Sequence, residues 1–574
     1  MENNSCQISL KIAGEAGFGI RSSGIMLARI FMRLGYYTFE INEFPSIIRG
    51  GHNTFQLNIG NKKVNSNTKK IDILVALNKE GIKKHLSELN KNGIVIFNKD
   101  NSKLNIKNSI GIPLNKIAKD SGYELMRNVV ALGAILALTK NNLTIAPKVI
   151  KETFKIKGEN IVKGNIKALK AGFNYVKKHY HHKNICDLSQ INRKEDNILI
   201  EGNQALALGA IAGGLNFYAA YPMTPSSSIL HYLVKVAEKN GIVVKHAEDE
   251  ISVINMALGA SHVGARAMIG TSGGGFSLMT ESLGLNSITE TPLVIVNVQR
   301  PGPATGLPTW QEQADLQFVL RAAQGDFPRI IVAPGDVKES FEFGHVAMNL
   351  AEIYQMPVII LSDKVIGEGS KVVKKFSIKG IKINRGKLLN QKKLNKINNY
   401  KRYKLTSDGI SPRSLPGMKN GLYLANSDEH DKYGFSNEDS KNRIEQVNKR
   451  AKKLETFSKL MPDPIIYGNI KAKNTIVIWG STKGVVLDAY NELSRRQKKK
   501  IKILQIQYIW PFSKDFVYKV LKKSKNILLI ENNSNTQLGQ LIRQETGVEI
   551  KNKFLKYNGR PFWREEIIKI LNKI

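Results

Sequence analysis

FYAAYPMTPSSSILHYL, Phe217 to Leu233, is the stretch on which the fold turns. A tight run of apolar and small residues stops at Tyr221-Pro222, Thr224-Pro225 and three serines follow, and a new helical pattern begins. A strand that runs through a polar turn into a helix is the repeating unit of an α/β fold. The two prolines fix the backbone, and hydroxyls project from it with no charge between. Such a turn can hold hydrogen-bond donors still beside a ligand, although a polar turn without a ligand is written the same way.

The same alternation continues outward. Upstream lies ILIEGNQALALGAIAGGLNFYAAYP (198–222), a helix followed by a short buried strand. Downstream come VVKHAEDE (243–250), the helix ISVINMALGASHVGARA, the strand AMIGTS, the glycines Gly273–Gly275, the strand PLVIVNV, and VIILSDKVIGEG (358–369). Uninterrupted apolar strands of this kind are covered on both faces, as in a parallel sheet. Before this block, QISLKIAG (7–14) alternates like a strand and leads into Gly14-Glu-Ala-Gly17-Phe-Gly19. A helix then carries Leu27, Ile30, Phe31 and Leu34 on one face. After the block, TIVIWGSTKGVVLDAYNELSRR opens a third βα unit.

The expected architecture is multidomain α/β, with parallel or mixed sheets and helices on both faces. An α/β domain is expected over 1–185 and a linker over 186–197. A second α/β domain follows over 198–369, a basic connecting segment over 370–470, and a C-terminal α/β domain over 471–574. With 574 residues the chain exceeds what one core supports.

No apolar run reaches the eighteen or so residues that span a membrane, and the N-terminus shows no export signal. Cys6 and Cys186 are the two cysteines, too few for a disulfide framework or a four-thiolate cluster, so a reduced, cytoplasmic protein is expected. The formal net charge is +38, from 86 Lys+Arg against 48 Asp+Glu, which invites a nucleic-acid partner. Its distribution argues otherwise: residues 201–300 hold five basic and seven acidic side chains. The excess lies in tracts such as RRQKKKIKI (495–503), with no nucleic-acid-binding signature beside them. We read them as solvated faces, with an acidic protein partner as the second reading. Neither nucleic acid nor membrane is expected as a partner.

In an open α/β sheet, ligands bind beyond the carboxyl ends of the strands. Three pieces of the second block lie at such ends: the turn Tyr221–Ser228, Glu250, and Arg300. Glu250 opens a helix rich in small residues, where a carboxylate meets the positive end of the helix dipole; a plain capping acid would sit there too. Arg300 leads Arg-Pro-Gly-Pro-Ala-Thr-Gly, a rigid mount for a carboxylate or phosphate binder, unless it pairs with a surface acid. Gly14, Gly17 and Gly19 between strand and helix could cradle a phosphate, with Arg49 as a second anion contact; tight-turn glycines explain them equally well. Gly480-Ser-Thr-Lys483-Gly484 lacks P-loop spacing, and His52, His246 and His262 lack metal spacing, so no metal ligands are assigned.

Read together, YPMTPSS (221–227), EDEISVINMALGASHVGARAMIGTSGGG (248–275) and QRPGPATGLPTWQEQADL (299–316) resemble the alpha subunit of 2-oxoacid:ferredoxin oxidoreductases. GEAGFG and RGGHN near the N-terminus are similar to the gamma subunit, and the order matches the fused form. TIVIWGSTKG, QYIWPF and YNGRPF resemble the subunit's last domain, of transketolase C-terminal type.

The resemblance implies a thiamine diphosphate enzyme that decarboxylates a 2-oxoacid, reduces ferredoxin and forms an acyl-coenzyme A. The second domain would then be of pyrimidine-binding type. Glu250 would hydrogen-bond the aminopyrimidine ring, Tyr221, Pro222 and Thr224 would border the substrate, and Arg300 would hold its carboxylate. Coenzyme A could use the glycine turn or the basic tract.

The Gly-Asp-Gly…Asn signature for magnesium and diphosphate is missing. Magnesium and the iron–sulfur cluster are therefore expected on a beta subunit, and a hetero-oligomer follows. The 2-oxoglutarate type is the most similar; pyruvate, branched-chain 2-oxoacids and a non-redox transketolase-type enzyme are the alternatives.

Overall fold

The computed structural model describes residues 7–47, 50–101, 103, 106–180, 185–191, 193 and 196–574. Three sheets carry helices on their faces. The central sheet has seven strands in the order 508–510, 330–332, 357–363, 293–299, 267–271, 217–220, 243–246. All of its neighbours are parallel except 508–510. The strands Leu293–Gln299 and Pro357–Asp363 are buried at every position, as their largely apolar sequences lead one to expect. Helices Gly202–Ala212 and Val337–Tyr354 cover one face and cross backbone to backbone. A side chain at Gly209 would strike the Phe341 carbonyl, and one at Gly344 would strike the Leu206 carbonyl.

The first sheet has eight strands, and its last two come from beyond the N-terminal block. Ser370–Lys374 pairs with Tyr37–Glu43 at Lys371↔Phe39, and Asn197–Glu201 pairs with Ser370–Lys374 along its length. The third sheet orders 465–468, 501–505, 474–478, 526–531 and 552–555. One C-terminal strand, Tyr508–Trp510, leaves it to pair antiparallel with Ile330–Val332 of the central sheet.

The basic 370–470 segment differs from a solvated face. Arg402 and Tyr403 are buried, as are Lys449, Arg450 and Lys453 on the helix Ser440–Ser458. Lys449 and Lys453 both pair with Glu290, which is fully buried. Arg413 and Arg385 both pair with Glu352. Charge that looked superficial in the sequence is spent on buried acids of the central domain, whose contacts are far apart along the chain. The three cations around Glu290 hold its carboxyl below the usual range against the opposing effect of burial.

Among the described residues no cysteine is a free thiol, and Cys186 is disulfide-bonded, in contrast to the reduced thiols expected. Cys6 and Arg49 lie outside the described residues. Among those described, no helix is long and apolar enough to cross a membrane.

Replacing Glu290 by Gln leaves two buried lysines without their countercharge. The expected cost is roughly 3–5 kcal/mol, read as a lowered Tm and as earlier proteolysis within 370–470.

Candidate functional site

The turn after the strand Phe217–Ala220 is fixed from several sides. The Ser226 hydroxyl donates to the Met223 carbonyl at 2.7 Å, and the Asn203 amide donates to the Pro225 carbonyl at 2.9 Å and to Ser228 Oγ at 2.8 Å. From the end of the strand Leu293–Gln299, one strand further along the sheet beyond Ala267–Thr271, Arg300 Nη1 donates to the Thr224 carbonyl at 2.7 Å. One guanidinium N–H thus anchors the arginine to the turn, and among the described residues its other donors make no hydrogen bond.

Glu250 opens the helix Glu250–His262, with Asp249 as the N-cap accepting from Ser252 N–H at 2.8 Å. The capping role falls to Asp249, which frees Glu250. Its side chain is 3% exposed, and Oε1 is buried without a hydrogen-bond partner. A buried carboxylate oxygen left so is costly unless a ligand or a proton satisfies it. Burial raises the Glu250 pKa, and Arg300 opposes the rise. Burial lowers that of Arg300, opposed by Asp315 and Glu250. Glu250, Thr224 and Arg300 therefore meet at one place, beyond the carboxyl ends of parallel strands of the central sheet.

Gly273–Gly275, the first turn of the helix Gly273–Leu278, form the floor. A Cβ at Gly275 would overlap Glu250 Oε1 and Thr271 Oγ1, and one at Gly273 would lie 2.6 Å from Asp315 Oδ2. The Gly275 N–H donates to the Met223 sulfur at 3.3 Å, which ties the floor to the turn. Asp315 accepts from the Asn297 amide at 3.2 Å, and its own N–H donates to Gln299 Oε1 at 3.0 Å. Burial pushes the Asp315 carboxyl up to about 6, opposed by Asn297 and Arg300.

Gln313 orders the loop. It donates to the Trp479 carbonyl at 3.0 Å and exchanges backbone and side-chain bonds with Asn532. Met223, Ser272, Asn297 and Gly275 were not singled out from sequence. Asn297 could have been, as a polar residue inside an otherwise apolar strand.

Tyr221 and Pro222 are exposed at the lip, with the Tyr221 ring 6.2 Å from that of His246. The glycine turn lies one loop away. Gly17 and Gly19 have φ of 90° and 70°, and Gly19 is the left-handed N-cap of the helix Ile20–Arg33. The Asn128 amide donates to the Phe18 carbonyl and fills the space beside Gly19, while Gly14 packs against Leu77. Ala16 N–H reaches the Gly51 carbonyl at 3.0 Å. The Phe44 carbonyl, at the other end of that loop, accepts from the Thr309 hydroxyl at 2.6 Å. Among the described residues no cluster of three or more His, Cys, Asp or Glu side chains could hold a metal ion.

Three family models cover the chain: "Pyruvate ferredoxin/flavodoxin oxidoreductase" over 9–175, "Pyruvate flavodoxin/ferredoxin oxidoreductase, thiamine diP-bdg" over 208–449, and "Pyruvate:ferredoxin oxidoreductase core domain II" over 472–571. The alpha subunit of 2-oxoacid:ferredoxin oxidoreductase from Sulfolobus sp is 34% identical, with 99% of this chain and 97% of the relative aligned. The 2-oxoglutarate oxidoreductase subunit KorA of Mycobacterium tuberculosis is 28% identical over 98% of this chain and 90% of its own length. A solved 2-oxoglutarate:ferredoxin oxidoreductase from Magnetococcus marinus, with 2-oxoglutarate, coenzyme A and succinyl-CoA bound, superposes with a TM-score of 0.91. It is 31% identical over 99% of both chains.

Gly275→Ala is expected to displace the Glu250 carboxylate while the fold persists. Turnover of the assembled enzyme should fall about a hundredfold, with the circular dichroism spectrum unchanged.

Proposed function

The chain belongs to the 2-oxoacid:ferredoxin oxidoreductase family, and from that premise we propose that it supplies the ring-activating acid and the substrate clamp of the active site. It is one subunit of a multi-subunit enzyme. The reaction is the oxidative decarboxylation of a 2-oxoacid to an acyl-coenzyme A and CO2. The observation that carries our assignment of roles is the meeting of Glu250, with its unpartnered buried oxygen, and Arg300, anchored on Thr224. The 2-oxoacid proposed is 2-oxoglutarate, supported by the relatives named for it. In this reading 1–185 is the gamma-type domain, 198–369 the pyrimidine-binding-type domain, 370–470 a connecting segment and 471–574 the C-terminal domain.

The residues fit one side of the cofactor. Glu250 Oε1 offers a hydrogen-bonding atom for an aminopyrimidine edge, and the glycine floor leaves room for a ring where a side chain would clash with that atom. When bound, thiamine diphosphate supplies the carbanion stabilisation that decarboxylation needs. Glu250 holds and exchanges a proton at Oε1, favoured by the burial that raises its pKa. Arg300 binds the substrate carboxylate with the donors that Thr224 leaves free, and Thr224 borders the same space. Gly14, Gly17, Gly19 and Arg49 are proposed to contact a phosphate of coenzyme A. A beta subunit is proposed to bring magnesium, the diphosphate contacts and the iron–sulfur cluster, with ferredoxin as acceptor in a cytoplasmic heteromer.

Co-purification from the native source, followed by assay with a panel of 2-oxoacids, coenzyme A and a viologen dye, tests the assignment. The purified chain alone should show no turnover. In the complex, Glu250→Gln is expected to lower turnover by at least about a hundredfold without unfolding. Arg300→Ala should raise KM for the 2-oxoacid and lower kcat together. Near-normal rates in either variant would remove that residue from its role.

A further inference from the structure

Asp315 has no role in the reading above, although contacts from several sides fix it in the site. Its carboxylate lies against the first turn of the helix Gly273–Leu278, where a Cβ at Gly273 would come within 2.6 Å of Oδ2 and 2.9 Å of Oδ1. Two residues along the same turn, a Cβ at Gly275 would come within 2.3 Å of Glu250 Oε1. Two carboxyl groups thus rest on one turn of backbone, each at a place where a side chain would collide with it. From the strand Leu293–Gln299, the Asn297 amide donates to Asp315 Oδ2 at 3.2 Å, and Gln299 Oε1 accepts from the Asp315 N–H at 3.0 Å.

These contacts close a ring with those of Arg300. Gln299 precedes Arg300 in the chain, and Arg300 Nη1 reaches the Thr224 carbonyl at 2.7 Å. Met223, next to Thr224, takes the Gly275 N–H on its sulfur at 3.3 Å, and the glycine turn leads back to Asp315. Arg300 and Asp315 therefore border the same space, and among the described residues no salt bridge joins them.

Few charges face Asp315. Burial raises its carboxyl to about 6, opposed by Asn297 and Arg300. Glu250 acts on Arg300 from the helix mouth, and Glu312 on the same segment feels Asp315 in turn. The C-terminal domain meets this segment through uncharged groups, Asn533 Nδ2 at the Gln313 carbonyl (3.1 Å) and Gln537 Nε2 at the Ala314 carbonyl (2.7 Å). A substrate carboxylate brought to Arg300 adds negative charge inside the ring and takes up the field that helps Asp315 ionise. The bound state then favours the protonated acid and the empty state the carboxylate.

We propose that Asp315 is a positioning residue that balances Arg300 while ionised in the empty site and takes up a proton when the 2-oxoacid carboxylate docks on Arg300. An O–H bond forms on an Asp315 carboxylate oxygen with a proton from solvent, and no electrons change hands. When the substrate carboxylate departs as CO2, Arg300 again favours the ionised acid and the proton returns to water. This inference rests on the family reading and deepens it.

The test uses the complete enzyme with its companion subunit and whichever 2-oxoacid it turns over. For the native protein, kcat/KM for the 2-oxoacid should fall as pH rises through about 6, because ionised Asp315 competes with the substrate for Arg300. A displacement of the Asp315 pKa by about one unit on binding corresponds to roughly tenfold in affinity. Asp315→Asn should remove that limb and, at about pH 8, lower KM about tenfold while kcat moves less. In an Arg300→Ala enzyme the same substitution should leave KM unmoved, since its effect passes through that arginine. Asn297→Ser withdraws a donor from the ionised carboxylate and should move the limb to higher pH. Infrared difference spectra of the chain itself, without cofactor, should show a carboxyl titrating at about 6 that Asp315→Asn lacks. A raised KM in Asp315→Asn, or an unmoved limb in either variant, overturns the proposal and leaves the family reading standing. A native complex that turns over no 2-oxoacid removes both together.

Discussion

The site depends on a cation that is half-buried yet left unneutralised. Arg300 is near two carboxyl groups, Glu250 and Asp315, and forms an ion pair with neither; its recorded bond is to the Thr224 carbonyl. Two full carboxylates beside it would cancel the charge that a substrate carboxylate must meet. Burial works against this by raising both acids, Asp315 to about 6, so that each holds its proton more readily than a solvated carboxyl would. The glycine floor contributes as well, since the approach of these groups leaves no volume for a Cβ at Gly273 or Gly275. Charge, packing and backbone choice at this place are one constraint seen three ways.

The loop that follows Arg300 is where the three sheets meet. Thr309 is bound to the first sheet's Phe44, Trp310 carries Arg560 of the C-terminal domain, and Gln313 is bonded to Trp479 and Asn532. The central domain holds the same segment from its own side, through Asn297 and Gln299 at Asp315 and through Val365 N–H at Gln311 Oε1. A further buried network, Lys483 with Asp336 and Glu339, clamps the C-terminal domain to the central one. It gives Lys483 a structural role that explains its presence in a loop without phosphate-binding spacing.

Much of the site was legible because its parts are local signals. The apolar strands, the proline turn at Thr224, the acid at a helix mouth and the arginine at a strand end each announce themselves within a few residues. What sequence did not disclose was decided by distant partners. The stretch 198–201 read as the start of a helix and 370–374 as the start of the connecting segment, yet the strands Asn197–Glu201 and Ser370–Lys374 complete the first sheet. Lys449 and Lys453 read as solvated charge until Glu290, some 160 residues away, is brought between them.

The seam between the N-terminal block and the rest is dispersed. The backbone ladder contributes one pairing, Lys371↔Phe39, beside the polar contacts of Arg21 with Glu201, Ser370 N–H with Glu40, Lys364 with the Asn42 carbonyl and Asn65 with Asp488, and Val365 packs on Phe39, Ile41 and Val64. Adhesion of this sort is specific in register and owes little to the covalent tether between the halves. A nick in that tether would leave the pieces docked, so continuity of the polypeptide sets their stoichiometry and encounter rate more than their grip.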